Sequence, residues 1–241
     1  MSRVKIGFIG SSAPSSPHHD SFRAFIPADI DFTFVREADA GDSLWDARDK
    51  LDTLIEQSRR LITLNDWHGL IISGAPKEVL NVNMTARLAA ELQIPVATAL
   101  RSSCAALTVL AAKRILLMTP VDDRLKDLYR GYLSEFGIHA VYPPQTLATH
   151  TEATKLNPES VAKLTRETFE KHSYVDAIYF QGALLDPLRV LDRLELELNV
   201  PIIASNAAML WVILSKLGLN YNIPGYGRLL ATWPALPVGL W

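Results

Sequence analysis

The chain has 241 residues, 49% of them hydrophobic and 21% charged, with a formal net charge of −2. That balance describes a folded globular chain of one large or two small domains, and it leaves no excess of Lys and Arg to neutralise a phosphate backbone, which excludes nucleic acid as the expected partner. No stretch approaches the roughly 18 to 20 apolar residues of a membrane helix, Met1-Ser2-Arg3 runs into a strand without the apolar core of a signal peptide, and the single cysteine, Cys104, permits no intrachain disulfide, so a cytoplasmic location without a membrane partner is expected.

Short runs rich in Val, Ile and Leu alternate with longer stretches of helical periodicity, the pattern of parallel strands joined by crossover helices. The expected strands lie near residues 4–10, 31–36, 69–73 and 95–98 in the first half, and near 114–119, 138–142, 176–181 and 201–204 in the second. Helices are expected near 43–64, 78–92, 102–112, 122–136, 158–172, 185–198 and 206–217. Asn157-Pro158-Glu159 reads as an N-cap followed by Pro at the first helical position, and Gly218 as a helix stop. The tail from Tyr221 to Trp241, rich in proline, reads as irregular wrapping over the body.

The chain also repeats itself. Gly69-Leu70-Ile71-Ile72-Ser73-Gly74-Ala75 leads to a helical stretch ending Glu91-Leu92-Gln93-Ile94-Pro95-Val96-Ala97, and Asp176-Ala177-Ile178-Tyr179-Phe180-Gln181-Gly182-Ala183 leads to Glu197-Leu198-Asn199-Val200-Pro201-Ile202-Ile203. Gly74 and Gly182 are 108 residues apart, Pro95 and Pro201 are 106 apart, and Ile6 and Ile115 of the opening strands are 109 apart. Two related halves imply a pseudo-twofold axis with a site between them. Ligands of parallel α/β sheets collect at the carboxyl ends of strands. The informative segments are therefore the turns at Gly10-Ser11-Ser12, Ser73-Gly74-Ala75-Pro76, Thr98 to Ser103, Thr119-Pro120-Val121, Gln181-Gly182-Ala183 and Ser205-Asn206.

The run from Asp176 to Ala183, followed by Glu197 through Ser205-Asn206-Ala207-Ala208-Met209-Leu210-Trp211, resembles the aspartate/glutamate racemase superfamily, and within it the maleate cis-trans isomerase and arylmalonate decarboxylase branch. Lys113-Arg114-Ile115 with Thr119-Pro120, and Gly225-Tyr226-Gly227-Arg228-Leu229-Leu230, carry the same likeness in order along nearly the whole chain. The resemblance implies two pseudo-symmetric α/β domains of about four parallel strands each, residues 1–99 with 206–241 and residues 100–205, and a cofactor-free active site in the cleft between them. It also implies a thiol from each half, one at each of two turns. One sulfur takes a proton from a substrate carbon or attacks a double bond, and the other returns a proton. The matching positions here are Gly74 and Gly182. The decarboxylase branch also has glycine at the first position but keeps the second cysteine. This chain keeps neither, and Val121 stands where the branch often carries a tyrosine. Two-thiol chemistry is thereby disfavoured, which implies an altered reaction, an altered substrate or lost catalysis.

What the two turns retain is backbone. The N–H groups of Gly74-Ala75 and of Gly182-Ala183 precede helices, a setting in which main-chain donors hold an anion or an enolate. Ser11, Ser12, Ser73, Gln181, Ser205 and Asn206 add polar groups around the cleft. Glycines and serines of this kind also serve tight turns and helix caps. Arg101, following a strand and opening a helix, is a candidate for a bidentate grip on a carboxylate or for a structural salt bridge. His18 and His19, in a Ser- and Pro-rich loop after the first strand, and His150, ahead of the helix at Pro158, are the candidate acid/base groups, each also readable as an ordinary loop residue. Cys104 falls inside a helix, away from both turns, and reads as a buried small hydrophobe. No pair of histidines and carboxylates has metal-ligand spacing and no Gly-rich phosphate loop of standard form is present, so neither metal nor cofactor is expected.

The expected function is a cofactor-independent isomerase or decarboxylase-type lyase acting on a small carboxylate or dicarboxylate, maleate-like or a substituted malonate, with a non-thiol proton donor. The alternative is a non-catalytic relative that binds a small carboxylate or a protein partner in the same cleft. A homo-oligomer is an expectation at the level of the family alone.

Overall fold

The computed structural model describes residues 3–16, 19–143, 150–153, 155–182, 185–237 and 239, with the backbone alone at 150 and 151. Apolar runs that bury both faces form parallel strands. In the first half, β1 (Val4–Gly10), β2 (Ile30–Arg36), β3 (Gly69–Ile72) and β4 (Val96–Thr98) make a sheet in the order β2-β1-β3-β4. In the second, β5 (Arg114–Met118), β6 (His139–Val141), β7 (Ala177–Phe180) and β8 (Ile202–Ala204) repeat it as β6-β5-β7-β8. Ile6 pairs with Phe32 and Gly69, and Ile115 with Ala140 and Ala177, all in parallel, so the opening strand of each half lies inside its sheet. This is the duplicated α/β architecture that the internal repeat predicts, and every strand stands within a residue of its expected place.

The helices are α1 (Asp20–Arg23), α2 (Leu51–Asn65), α3 (Ala75–Leu80), α4 (Met84–Leu92), α5 (Ala99–Val109), α6 (Asp123–Ser134), α7 (His150–Ala153), α8 (Pro158–Lys171), α9 (Leu191–Leu198), α10 (Ser205–Lys216) and α11 (Arg228–Thr232). Asn157 caps α8 as its sequence predicts, its side chain accepting from the Ser160 N–H. Two expected helices are divided. The one over 43–64 begins as a 3-10 turn, Leu44–Ala47, closed by reciprocal capping between Ser43 and Asp46, and Asp49 takes φ +57 before α2 starts. The one over 78–92 starts early, because Pro76 suits a first helical turn, and breaks where Asn81 is extended and Asn83 left-handed. α9 begins at Leu191 rather than near 185, since Asp186 Oδ1 accepts from the Leu188 N–H in a turn through Pro187. The tail, expected to be irregular, carries α11.

Between the two sheets, α5 and α10 pack on each other; α10 also lies on β3, β4 and β8, and α5 on β4 and β8. From Ala207 to Leu214 α10 is buried all round, which is why its sequence is apolar on every face. One apolar cluster runs from Ile6, Phe8 and Ile71 to Ile115, Ile178 and Ile203, joining the halves into a common core. A smaller cluster with Ile9, Ile55, Leu70 and Leu88 packs the first sheet against α2 and α4. Gly7 carries no Cβ because the Trp67 ring fills that place. The tail is fastened by Trp211 Nε1 donating to the Pro234 carbonyl at 2.9 Å, Trp233 Nε1 to Ser215 Oγ at 3.0 Å and the Arg228 N–H to Glu195 Oε2 at 2.6 Å. Among the described residues no helix is long and apolar enough to cross a membrane.

Candidate functional site

The first turn leaves β3 through Ser73 and Gly74, whose φ of +103 and ψ of 93 only glycine adopts without strain, and enters α3 at the buried Ala75. A Cβ on Gly10, at the end of β1, would lie 2.6 Å from Ser73 Oγ, so a larger residue there would have to move that hydroxyl. From the first turn of α3 the Lys77 side chain doubles back. Its Nζ donates to the Ser73 carbonyl at 2.8 Å and pairs with Glu37 Oε2 at 2.9 Å. Glu37 follows β2, its N–H donating to the Gly10 carbonyl at 2.8 Å. The two side chains are only 7% and 8% exposed. A Cβ at Gly74 would stand 2.9 Å from this ammonium, so the space beside the turn is taken by nitrogen.

Next along α3, the buried Glu78 turns the other way and organises the start of α5. Its carboxylate accepts from Thr98 Oγ1 (2.8 Å), the N–H groups of Leu100 and Arg101, and Tyr132 OH (3.1 Å). Burial pushes the Glu78 pKa up, and these donors only partly oppose it. Arg101 sits in the first turn of α5 with its guanidinium 4.8 Å from the centre of the Phe136 ring. Cys104, one turn on, is fully buried, and desolvation holds its thiol far above the ordinary value.

The second turn shares a left-handed glycine with the first but, against expectation, does not lead directly into a helix, since α9 begins only at Leu191. Gly182 has φ +86, and its N–H donates to Ser205 Oγ at 3.4 Å. Ser205 also meets the Tyr179 hydroxyl at 3.0 Å, deep under α10, and burial raises the Tyr179 pKa. Gln181 is buried, and its Oε1 accepts from Thr119 Oγ1 at 2.7 Å. Asn206 is half-buried in the first turn of α10. Ala183 lies outside the described residues.

The connection between β5 and α6 reaches the second turn, and α6 itself reaches α3. Thr119 holds Gln181, while α6 packs on α3 and lends Tyr132 to Glu78. Asp122 caps α6 and accepts from Trp45 Nε1 at 2.8 Å, and Arg124 lies 4.6 Å from the Trp45 ring centre, so the loop after β2 is tied to the second half. Val121, at the centre of this connection, is buried.

The remaining predicted residues fall at varied distances from this arrangement. Ser11 is exposed and Ser12 half-buried in the loop after β1, and Ser73 is half-buried within the first turn. His19 is 7% exposed, its ring packed against Phe8 and Phe34 with centroids 5.5 and 4.6 Å away. His18 lies outside the described residues, as does the side chain of His150, whose backbone opens α7. Among the described residues no group of three or more His, Cys, Asp and Glu is placed to hold a metal ion. Lys77 and Glu37 escape sequence reading. Pro76 marks the true start of α3 and so puts Lys77 on its first turn, but nothing local announces that Glu37 will meet it.

A family profile described as arylmalonate decarboxylase matches residues 76–230. The fold is similar to that of the maleate isomerase Iso from Pseudomonas putida S16, solved with maleate, at a TM-score of 0.76 and 20% identity over 95% of this chain and 97% of that one. It is similar to arylmalonate decarboxylase at a TM-score of 0.76 and 19% identity over 95% and 99%. A Nocardia farcinica maleate cis-trans isomerase carrying a covalently bound succinylcysteine intermediate matches at a TM-score of 0.72 and 20% identity over 95% and 98%. A search of curated protein sequences finds no match.

Proposed function

The chain belongs to the arylmalonate decarboxylase family, and from that membership we propose that it is a cofactor-independent, decarboxylase-type lyase acting on a small substituted malonate by a non-thiol route. The observation that carries the reading is the pair of strand-end turns, each built on a left-handed glycine and neither holding a sulfur. A succinylcysteine adduct, as in the Nocardia isomerase, needs a nucleophilic thiolate at the substrate. The one sulfur able to form it here, Cys104, is enclosed in α5 with its pKa raised. Decarboxylation asks for less. One carboxylate is held by main-chain donors and hydroxyls while the other leaves as carbon dioxide; the bonding pair then passes into an enediolate, which oriented donors stabilise, and a single proton completes the product.

Incubation with phenylmalonate, methylmalonate and maleate in deuterium oxide, followed by NMR, tests this. The expected outcome is carbon dioxide release from a malonate with one deuterium at the α-carbon. A chain that turns over none of the three, yet is thermally stabilised by one of them, is a carboxylate binder and not a lyase.

A further inference from the structure

We propose that the Lys77 ammonium, held by Glu37, is the proton-transfer group of the first turn and protonates the carbanion formed when a substituted malonate loses carbon dioxide. The inference rests on the decarboxylase reading and deepens it. Position is the first argument. Glu37 follows β2, Ser73 follows β3, and β1 lies between them, so an ammonium bound to both stands over the carboxyl end of β1. That is where parallel α/β sheets bind their ligands. Gly74 is the second argument: the ammonium stands 2.9 Å from where a side chain at 74 would begin, so it has taken the space of a group projecting from the turn.

Energetics supply the third. Both side chains are more than nine-tenths buried, and a buried ion pair contributes little to stability compared with apolar side chains of the same size. Charges placed out of water at strand ends are instead suited to chemistry. An ammonium carries three N–H donors. Two of them go to Ser73 and Glu37, and the third is the one that serves the substrate. Nearby charges are otherwise engaged: Lys50 pairs with Asp39, and Glu78 turns to the start of α5. On the other elements packed on α3, Arg87 pairs with Glu91 and Lys126 with Asp123.

The step balances without a further reagent than water. The bond between Cα and the departing carboxylate breaks, carbon dioxide leaves, and the electron pair stays as an enediolate. One Nζ–H bond then breaks as the Cα–H bond forms. The neutral amine remains hydrogen-bonded to Glu37, and water restores its proton.

The test uses the full chain with phenylmalonate, following carbon dioxide release. Lys77→Arg keeps the charge and the pairing but does not surrender a proton. The expected result is a fall in kcat of about 10²- to 10⁴-fold in a variant that still unfolds cooperatively. Glu37→Gln removes the carboxylate that holds the ammonium over the strand ends, so kcat falls in that variant as well. Undiminished kcat in Lys77→Arg, or in Glu37→Gln, overturns the inference and leaves the decarboxylase reading standing. A wild-type chain inert toward phenylmalonate, methylmalonate and maleate overturns both.

Discussion

Adjacent side chains on α3 are sent to opposite tasks by their partners. Lys77 is drawn to the strand ends by Glu37, and Glu78 is drawn to the start of α5 by four donors. Those donors satisfy the Glu78 carboxylate, but desolvation outweighs them and its pKa stands above 4.5. A carboxyl whose folded pKa is raised adds stability that is complete below the unfolded value and lost as pH rises through the folded value. Glu78→Gln abolishes that titration. The stability gap between wild type and variant is therefore widest below about pH 4.5 and narrows as pH rises, which urea titrations at a series of pH values measure. A gap that widens with pH would mean that hydrogen bonding, and not burial, controls this group.

At the scale of elements, the two strand-end turns share a left-handed glycine and differ in what surrounds it. Among the described residues nothing lies within 4 Å of a Cβ built on Gly182, whereas Lys77 Nζ lies 2.9 Å from one built on Gly74. Gly182→Ala consequently meets only the cost of a left-handed conformation, about 1–2 kcal/mol. Gly74→Ala meets that cost and displaces a buried ammonium as well, so it destabilises more. Denaturant midpoints of the two variants give the comparison; equal losses would mean that Lys77 moves aside freely. The glycines themselves were legible from the repeat, and so was the Asn157 cap. The breaks at Asp49 and Asn83 were not, because a single left-handed residue leaves the apolar periodicity on either side intact.

For the whole molecule, the junction of the halves depends on a core of α5 and α10 and on a few polar contacts at its rim. The Trp45 indole reaches Asp122 across that junction and lies under Arg124. Trp45→Phe removes a hydrogen bond worth about 0.5–1.5 kcal/mol from the loop that carries Glu37. The expected result is a small drop in melting temperature and a severalfold rise in KM for phenylmalonate, with kcat held. A change confined to kcat would place Trp45 in the chemistry instead of in the closure of the site. Arg101 illustrates how packing redirects a side chain: its position after β4 suits a carboxylate ligand, yet its guanidinium lies over Phe136, just past the end of α6.

By itself the sequence determined the α/β class, the duplication, the strand positions and the two glycine turns, because alternation, strand-length apolar runs and a repeat are properties of neighbouring residues and of fixed spacing. Tertiary structure alone decided which charges meet. That Glu37 and Lys77 share one buried point follows from β2 and β3 flanking β1, and that His19 lies among Phe8 and Phe34 follows from the packing of the first loop on the same sheet. Burial and long-range pairing arise only when strand order is set, and at this site they bring Lys77 and Glu37 together.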